Sequence, residues 1–299
     1  MAKVKNAALA EGDTPEPAAR VIGETQVVDA ADRLIANTSG EADELIHHYA
    51  ADPGKVAVVH PGVNLDLFRV DPRRSGAVEP RAVPESRAAA ARQRLGLPQD
   101  ALVPLFAGRI QPLKAPDVLL RAVAVLLDER PELRSRLVVP VVGGPSGSGM
   151  AKPERLQKLA ARLGISEVVW FRPPVGQAHL ADWFRAASLL VMPSYSESFG
   201  LVAIEAQATG TPVLAARVGG LPVAVRDEVT GFLVEGHDPA DYARRLARFA
   251  DDPTLADRMG AAAARHAQSF GWDTAASGTA DVYTAAVQEH RRRVRSHHG

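Results

Sequence analysis

A chain of 299 residues, 46% of them hydrophobic and 23% charged, is long enough to bury one large or two medium cores. Lysine plus arginine and aspartate plus glutamate both number 35, so no net field recruits nucleic acid or an anionic membrane. The lack of cysteine excludes disulfides and thiolate metal sites, and every apolar run falls short of the roughly 20 residues that cross a bilayer. With no signal-peptide pattern at the start, these bounds predict a cytoplasmic enzyme with no membrane span and no nucleic-acid partner.

Residues 1–26 hold no periodic apolar face. Pro15 and Pro17, with the acids Glu11, Asp13 and Glu16, lead into 18–24, which reads as a helix entered through prolines; a disordered leader is the simpler alternative. From Asp32 the pattern becomes α/β. A short strand is expected at 33–38, a helix from Ser39 to Tyr49, and a strand at 55–60 ended by the turn signal Pro61-Gly62. The polar, arginine- and proline-rich segment 69–87 reads as an inserted, mobile surface loop.

Strand-like runs follow at 102–106, 137–142, 168–171, 189–192 and 213–216, separated by helical patterns such as 117–127. Strand and helix alternation with apolar strands means a doubly wound parallel sheet covered on both faces, a Rossmann-like α/β fold. Ligands of such sheets bind at the carboxyl ends of the strands. Arg109, the Val141-Val142-Gly143-Gly144 loop and Glu197 all fall there. No G-x-G-x-x-G opens the sheet, which disfavours a dinucleotide-dependent oxidoreductase. Beyond Pro239 the chain reads as helical, with Trp272 and Tyr283 as packing anchors and a solvated basic end at 291–298.

The richest stretch is Ser194-Tyr195-Ser196-Glu197-Ser198-Phe199-Gly200-Leu201, a strand-to-helix turn. Ser196 and Ser198 are the expected caps, and the amides from Phe199 to Leu201 form an anion site suited to phosphate. Glu205 is a lone charge in an apolar helix and needs a hydrogen-bonding partner, which a ligand diol would supply. The alternative is structural: Glu197 as a helix-start acid and Glu205 as a buried acid with a protein donor. Arg109 and Lys114, five apart after a strand, would neutralise a diphosphate leaving group, or else form a solvated loop pair. The run Gly143 to Gly149 lacks a following G-K-[ST], and Pro145 removes a donor, so it reads as a flexible loop rather than a phosphate cradle. The nine histidines show no metal-binding spacing.

Glu197 and Glu205 form an E-x7-E pattern, and with Phe106 to Lys114 and Val59-His60-Pro61-Gly62-Val63 the chain resembles the retaining, nucleotide-sugar-dependent glycosyltransferases of family 4. The resemblance implies a GT-B architecture of which this chain carries the C-terminal half, with most of the N-terminal acceptor domain absent. It divides the chain into an N-terminal remnant at 1–30, a donor domain at 31–270 and a crossover helix and tail at 271–299. It also implies UDP-N-acetylglucosamine as donor and 1D-myo-inositol 3-phosphate as acceptor, in mycothiol biosynthesis. A non-catalytic nucleotide-sugar-binding fragment and a family member with another donor, such as a mannosyltransferase, are the alternatives.

By the same resemblance Arg109, Lys114 and Glu197 serve catalysis. The donor is held by these three with Val175 at the uracil, Phe199, Gly200 and Leu201 at the helix start, and Glu205 at the ribose. Arg20 meets the acceptor phosphate, and Mg2+ lies near Phe184, Arg185, Ala187 and Thr211. Family members pair through helices into homodimers, although no apolar stripe in the sequence singles out such a face.

Overall fold

A computed structural model describes residues 1–7, 15–70, 87–144 and 153–296. The expectations for part of the leader (8–14), for most of the inserted loop (71–86), for most of the glycine-rich run (145–152) and for the last residues of the basic tail lie outside the described residues. The chain falls into two compact units, Met1–Gly62 with Phe270–Gly299, and Val63–Ser269.

In the first unit, α1 (Ala2–Ala7) and α2 (Ala18–Ala30) precede the short strand β1 (Leu34–Ala36), α3 (Ser39–Tyr49) and β2 (Val56–Val58). α3 starts where Thr38 accepts from the Glu41 amide at 3.0 Å while Glu41 accepts from the Asn37 amide at 2.6 Å, two otherwise orphaned donors satisfied together. β1 and β2 pair in parallel, in register from Leu34 with Val56 to Ala36 with Val58. The leader is tied down by polar contacts: Glu24 accepts from the Ala2 amide and the Tyr49 hydroxyl, and Tyr49 in turn accepts from the Lys3 amide. Gly62 is required at its turn, because a Cβ there would lie 2.8 Å from the Cα of Trp272.

The second unit is a six-stranded parallel sheet among the described residues. In chain order it comprises α4 (Arg87–Leu95), β3 (Pro104–Ala107), α5 (Pro116–Glu129), β4 (Val139–Val142), α6 (Pro153–Arg162), β5 (Val169–Arg172), α7 (Gln177–Ala186), β6 (Leu189–Met192), α8 (Leu201–Ala208), β7 (Val213–Ala216), α9 (Leu221–Ala224), β8 (Gly231–Val234), α10 (Pro239–Asp251) and α11 (Leu255–Ala267). The chain then returns to the first unit with α12 (Trp272–Ser296). The strand order is β5-β4-β3-β6-β7-β8, so the chain starts in the middle and winds outward both ways. That is the doubly wound order with a switch point between β3 and β6.

β3, β4, β6, β7 and β8 are buried at every position, as expected for parallel strands covered by helices on both faces. α5 buries Val118, Leu119, Ala122, Val123 and Leu126 at helical spacing against the sheet.

The expected parallel α/β sheet is present, with two differences from the sequence reading. β8 was not anticipated, and the units are drawn differently from 1–30, 31–270 and 271–299. Residues 31–62 belong with the first unit, because β1 and β2 hydrogen-bond to each other and, among the described residues, to no strand of the larger sheet. Tyr283 is not the expected packing anchor: it is 67% exposed. Trp272 is also largely exposed, but part of its ring lies against Gly62.

Candidate active site

The loops that leave the carboxyl ends of β3 and β6 meet at the switch point. From β3 the chain passes Gly108 and Arg109 into a single 3-10 turn, Pro112–Lys114, that presents the Lys114 ammonium. From β6 it runs through Ser194 to Gly200 and presents Glu197. Lys114 Nζ forms an ion pair with Glu197 Oε2, the two side chains being 19% and 16% exposed. The loops are stitched beside this pair by the Tyr195 amide, which donates to the Leu113 carbonyl at 2.9 Å. Arg109 is exposed, and no described residue pairs with its guanidinium.

A third loop, after β7, supports Glu197 from behind. The Gly220 amide donates to the Glu197 carbonyl at 2.9 Å. Gly219 sits at φ +50°, where a Cβ would fall 1.9 Å from that same oxygen, and a Cβ on Gly220 would fall 2.4 Å from the Ser198 carbonyl. Only glycine permits this approach of backbone to backbone. The sequence reading passed over these residues, although a doubled glycine directly after an apolar strand signals a close approach.

α8 begins at Gly200, held at φ +95° with no side-chain cap. Neither Ser196 nor Ser198 caps the helix as expected. The amides of Gly200 and Leu201 therefore have no acceptor among the described residues and remain open to an anion. Phe199 is buried, whereas Leu201 is 41% exposed.

Beside Arg109 lies a pocket of about 300 Å³ walled by Gly108, Val142, Gly143, Gly144, Pro174, Val175 and Leu180. Its floor is backbone: Gly108 N donates to Val142 O at 3.0 Å, Gly143 N to Arg172 O at 3.0 Å, and Ile110 N to Gly144 O at 2.9 Å. A Cβ on Gly143 would strike the Gly108 carbonyl at 1.8 Å, and one on Gly144 would strike the Pro174 ring at 2.6 Å. The result is a slot with apolar walls and peptide edges, at the place where the family resemblance leads one to expect a base beside Val175.

Glu205 lies on α8. Burial pushes its carboxyl from 4.5 up to about 7, with no hydrogen bond or neighbouring charge among the described residues to offset it. Because the folded value lies above the unfolded one, the stabilisation of the protonated form is complete below about 4.5 and is lost as pH rises through about 7. Thermal unfolding should therefore show the wild-type chain losing stability between pH 5 and pH 8, by up to about 3 kcal/mol. Glu205→Gln should flatten that part of the profile; an equal decline in the variant would remove Glu205 as its origin.

Arg20 belongs to the first unit, where its guanidinium bonds Glu16 at 2.9 Å and Glu24 at 3.0 Å. It lines a cavity of about 560 Å³ whose other walls, such as Val27, Leu34 and Leu45, are largely apolar. Phe184, Ala187 and Thr211 lie together, with Arg185 beside them, and offer carbonyl and hydroxyl oxygens but no carboxylate. The Phe184 carbonyl already accepts from the Thr211 hydroxyl at 2.6 Å and from the Ala187 amide at 3.1 Å. The Arg185 guanidinium, 5% exposed, donates to the carbonyls of Leu67 and Arg69 and pairs with Asp182. Mg2+ requires free oxygens and usually a carboxylate, and among the described residues no cluster of His, Asp and Glu could hold a metal.

The doubly wound sheet brings Lys114 and Glu197 together at its switch point, and comparison with known proteins gives the family of this α/β chain. The description of the glycosyl transferases group 1 matches residues 88–266, and that of Glycosyltransferase Family 4 matches residues 12–67. The chain belongs to the glycosyl transferases group 1 family.

It is 79% identical over its whole length to the D-inositol 3-phosphate glycosyltransferase of Streptomyces griseus subsp. griseus, of which it covers 63%. It is 80% identical, again over its whole length, to the protein of that name from Streptomyces avermitilis, of which it covers 61%. The chain thus spans a little over three fifths of these relatives. Among solved structures, sucrose-phosphate synthase from Thermosynechococcus elongatus matches with a TM-score of 0.78 at 27% identity, covering 96% of this chain and 66% of that one. Anabaena Alr3699/HepE in complex with UDP and glucose matches in fold at 0.74 and 22% identity, covering 88% and 66%. Among the described residues no helix is long and apolar enough to cross a membrane.

Proposed function

We propose that Val63–Ser269 is the donor half of a retaining glycosyltransferase that moves N-acetylglucosamine from UDP-N-acetylglucosamine to 1D-myo-inositol 3-phosphate. The observation that carries the donor assignment is the grouping at the switch point of Lys114, Glu197 and the open amides at the start of α8, with Glu205 one turn along that helix, half-buried and without a hydrogen-bond donor among the described residues. A ribose diol supplies the two donors this group lacks. Uracil takes the slot at Val175, meeting peptide edges rather than side chains. The diphosphate lies between Arg109, Lys114 and the open amides of Gly200 and Leu201.

As the glycosidic bond breaks, negative charge gathers on the leaving diphosphate. The ammonium, the guanidinium and the helix start stabilise that charge where it develops. Glu197, freed from Lys114, turns to the hydroxyls of the donor sugar. No side chain here is placed as a covalent nucleophile, and the reading has the acceptor attack from the face the diphosphate leaves. The identity of the acceptor rests on the relatives named above and on Arg20, whose half-exposed guanidinium is steadied by Glu16 and Glu24. No step here is routed through magnesium: Thr211 and the Ala187 amide bond the Phe184 carbonyl, and the Arg185 guanidinium is engaged by Leu67, Arg69 and Asp182.

The test is calorimetric titration of the 299-residue chain with UDP-N-acetylglucosamine at pH 6.5 in buffers of different ionisation heat. Ionised Glu205 accepts better from the diol, so binding should release a proton and strengthen as pH rises to about 7. Glu205→Gln should abolish that release. Equal affinity for a guanosine diphosphate sugar would defeat the uracil assignment.

A further inference from the structure

Two side chains close to the Lys114–Glu197 pair have no role in the donor reading. Tyr195 is two residues before Glu197 and 45% exposed. Its ring stacks on that of His237 with centroids 4.1 Å apart and planes 30° from parallel. His237 comes from a different loop, the turn between β8 and α10, and its Nε2 lies 3.1 Å from the carbonyl oxygen of Ser194. A carbonyl can only accept, so Nε2 is the nitrogen that carries the hydrogen.

We propose that His237 is a positioning residue for the Lys114–Glu197 pair, acting through Ser194 and Tyr195. The turn that bears it is itself fixed on both sides. Gly236, at φ +75°, accepts through its carbonyl from the buried Tyr242 hydroxyl at 3.3 Å. Asp238 caps α10 by accepting from the Ala240 amide at 3.0 Å. From this support the imidazole grips the corner of the β6 loop twice, by a hydrogen bond to Ser194 and by its ring face under Tyr195. The Tyr195 amide then holds the Leu113 carbonyl, next to Lys114. Glu197 follows two residues later on the same loop. Three loops from the carboxyl edge of the sheet, after β3, β6 and β8, are thereby joined at one point, and the two charged groups that must face a diphosphate and a sugar are held by a histidine that touches neither. Rigid support of this kind is what a binding constellation requires to keep its geometry.

The role is separable from general folding because the two grips are chemically distinct. His237→Phe keeps a ring under Tyr195 and removes the donor, whereas His237→Gln keeps a donor at the Nε2 position and removes the ring. The first measurement is hydrogen exchange of the Tyr195 amide in the ligand-free chain. His237→Phe should speed this exchange about tenfold, the worth of one ordinary hydrogen bond, with the melting temperature little changed, and His237→Gln should restore protection. The second is calorimetry with UDP. His237→Phe should weaken binding several-fold in the wild-type background and have no further effect in Lys114→Ala, since a residue acting through the pair cannot add to its loss.

Unchanged Tyr195 exchange in His237→Phe overturns the proposal. So does a loss of UDP affinity that is equally large with and without Lys114. The ligand arm rests on the donor reading, and the exchange arm does not. A wild-type chain that ignores UDP therefore counts against the donor site, while the exchange result still decides the role of His237.

Discussion

Lys114→Ala should lower the affinity of the chain for UDP about thirtyfold or more, while Glu197→Gln should raise it several-fold. Both expectations come from the same contact. In the ligand-free chain the Lys114 ammonium is neutralised by Glu197, with both side chains more than four-fifths out of water. A diphosphate entering the site must take the ammonium from the carboxylate. Removing the lysine deletes a charge-assisted contact to phosphate, of a kind worth about 1.5–3 kcal/mol. Removing the charge of Glu197 deletes the competitor, and a partly exposed ion pair of roughly 1 kcal/mol sets the size of the gain. The same Glu197→Gln variant should lose the extra affinity that the sugar confers on UDP-N-acetylglucosamine over UDP. Calorimetry with both ligands on the three proteins reads all of this. If Glu197→Gln weakens UDP as much as Lys114→Ala does, then the ion pair supports the diphosphate site rather than competing with it.

The second large effect is expected at a residue with no side chain. Gly219→Ala places a methyl group 1.9 Å from the Glu197 carbonyl, and its backbone at φ +50° is already unfavourable for alanine. The left-handed conformation alone costs about 1–2 kcal/mol, and displacing a packed backbone adds roughly 1–3 kcal/mol. Denaturant unfolding should show the sum, and UDP binding should collapse because the Glu197 loop is driven out of place. Gly164→Ala is the control. Its φ is +65°, but nothing lies within 4 Å of the added carbon, so it should show the conformational cost alone and bind UDP normally. Equal behaviour of the two variants would mean that the Gly219 contact relaxes without consequence.

The charged residues of the candidate site stood out in the sequence because they are conspicuous residue types at short spacing. Glu197 and Glu205, or Arg109 and Lys114, are conspicuous as charges next to apolar strands, and strand-helix alternation places them at one edge of a sheet before any coordinates exist. What joins them was not legible. The ion pair between Lys114 and Glu197 spans 83 positions of sequence, and nothing local at His237 says that its ring lies under Tyr195. β8 opens with glycine, which leaves only Phe232, Leu233 and Val234 as an apolar run, too little to stand out from a loop. β1 and β2 were recognisable as strands, but periodicity does not name a pairing partner, so their place in the first compact unit was not readable from the sequence. Ser196 and Ser198 were reasonable caps by residue type; the chain instead enters α8 through Gly200 in a left-handed conformation, with no side-chain cap.

The neutralised lysine also bears on which anions the site turns away. A bare pair of cations would hold any small oxyanion, and orthophosphate would occupy it much of the time. With Glu197 already seated on Lys114, a lone phosphate must break an ion pair to gain a single contact, and it has neither a base for the Val175 slot nor a diol for Glu205. A nucleoside diphosphate brings all three. Competition experiments should accordingly find millimolar orthophosphate a poor inhibitor of UDP binding to the wild-type chain and a better one in Glu197→Gln, where discrimination has been exchanged for affinity.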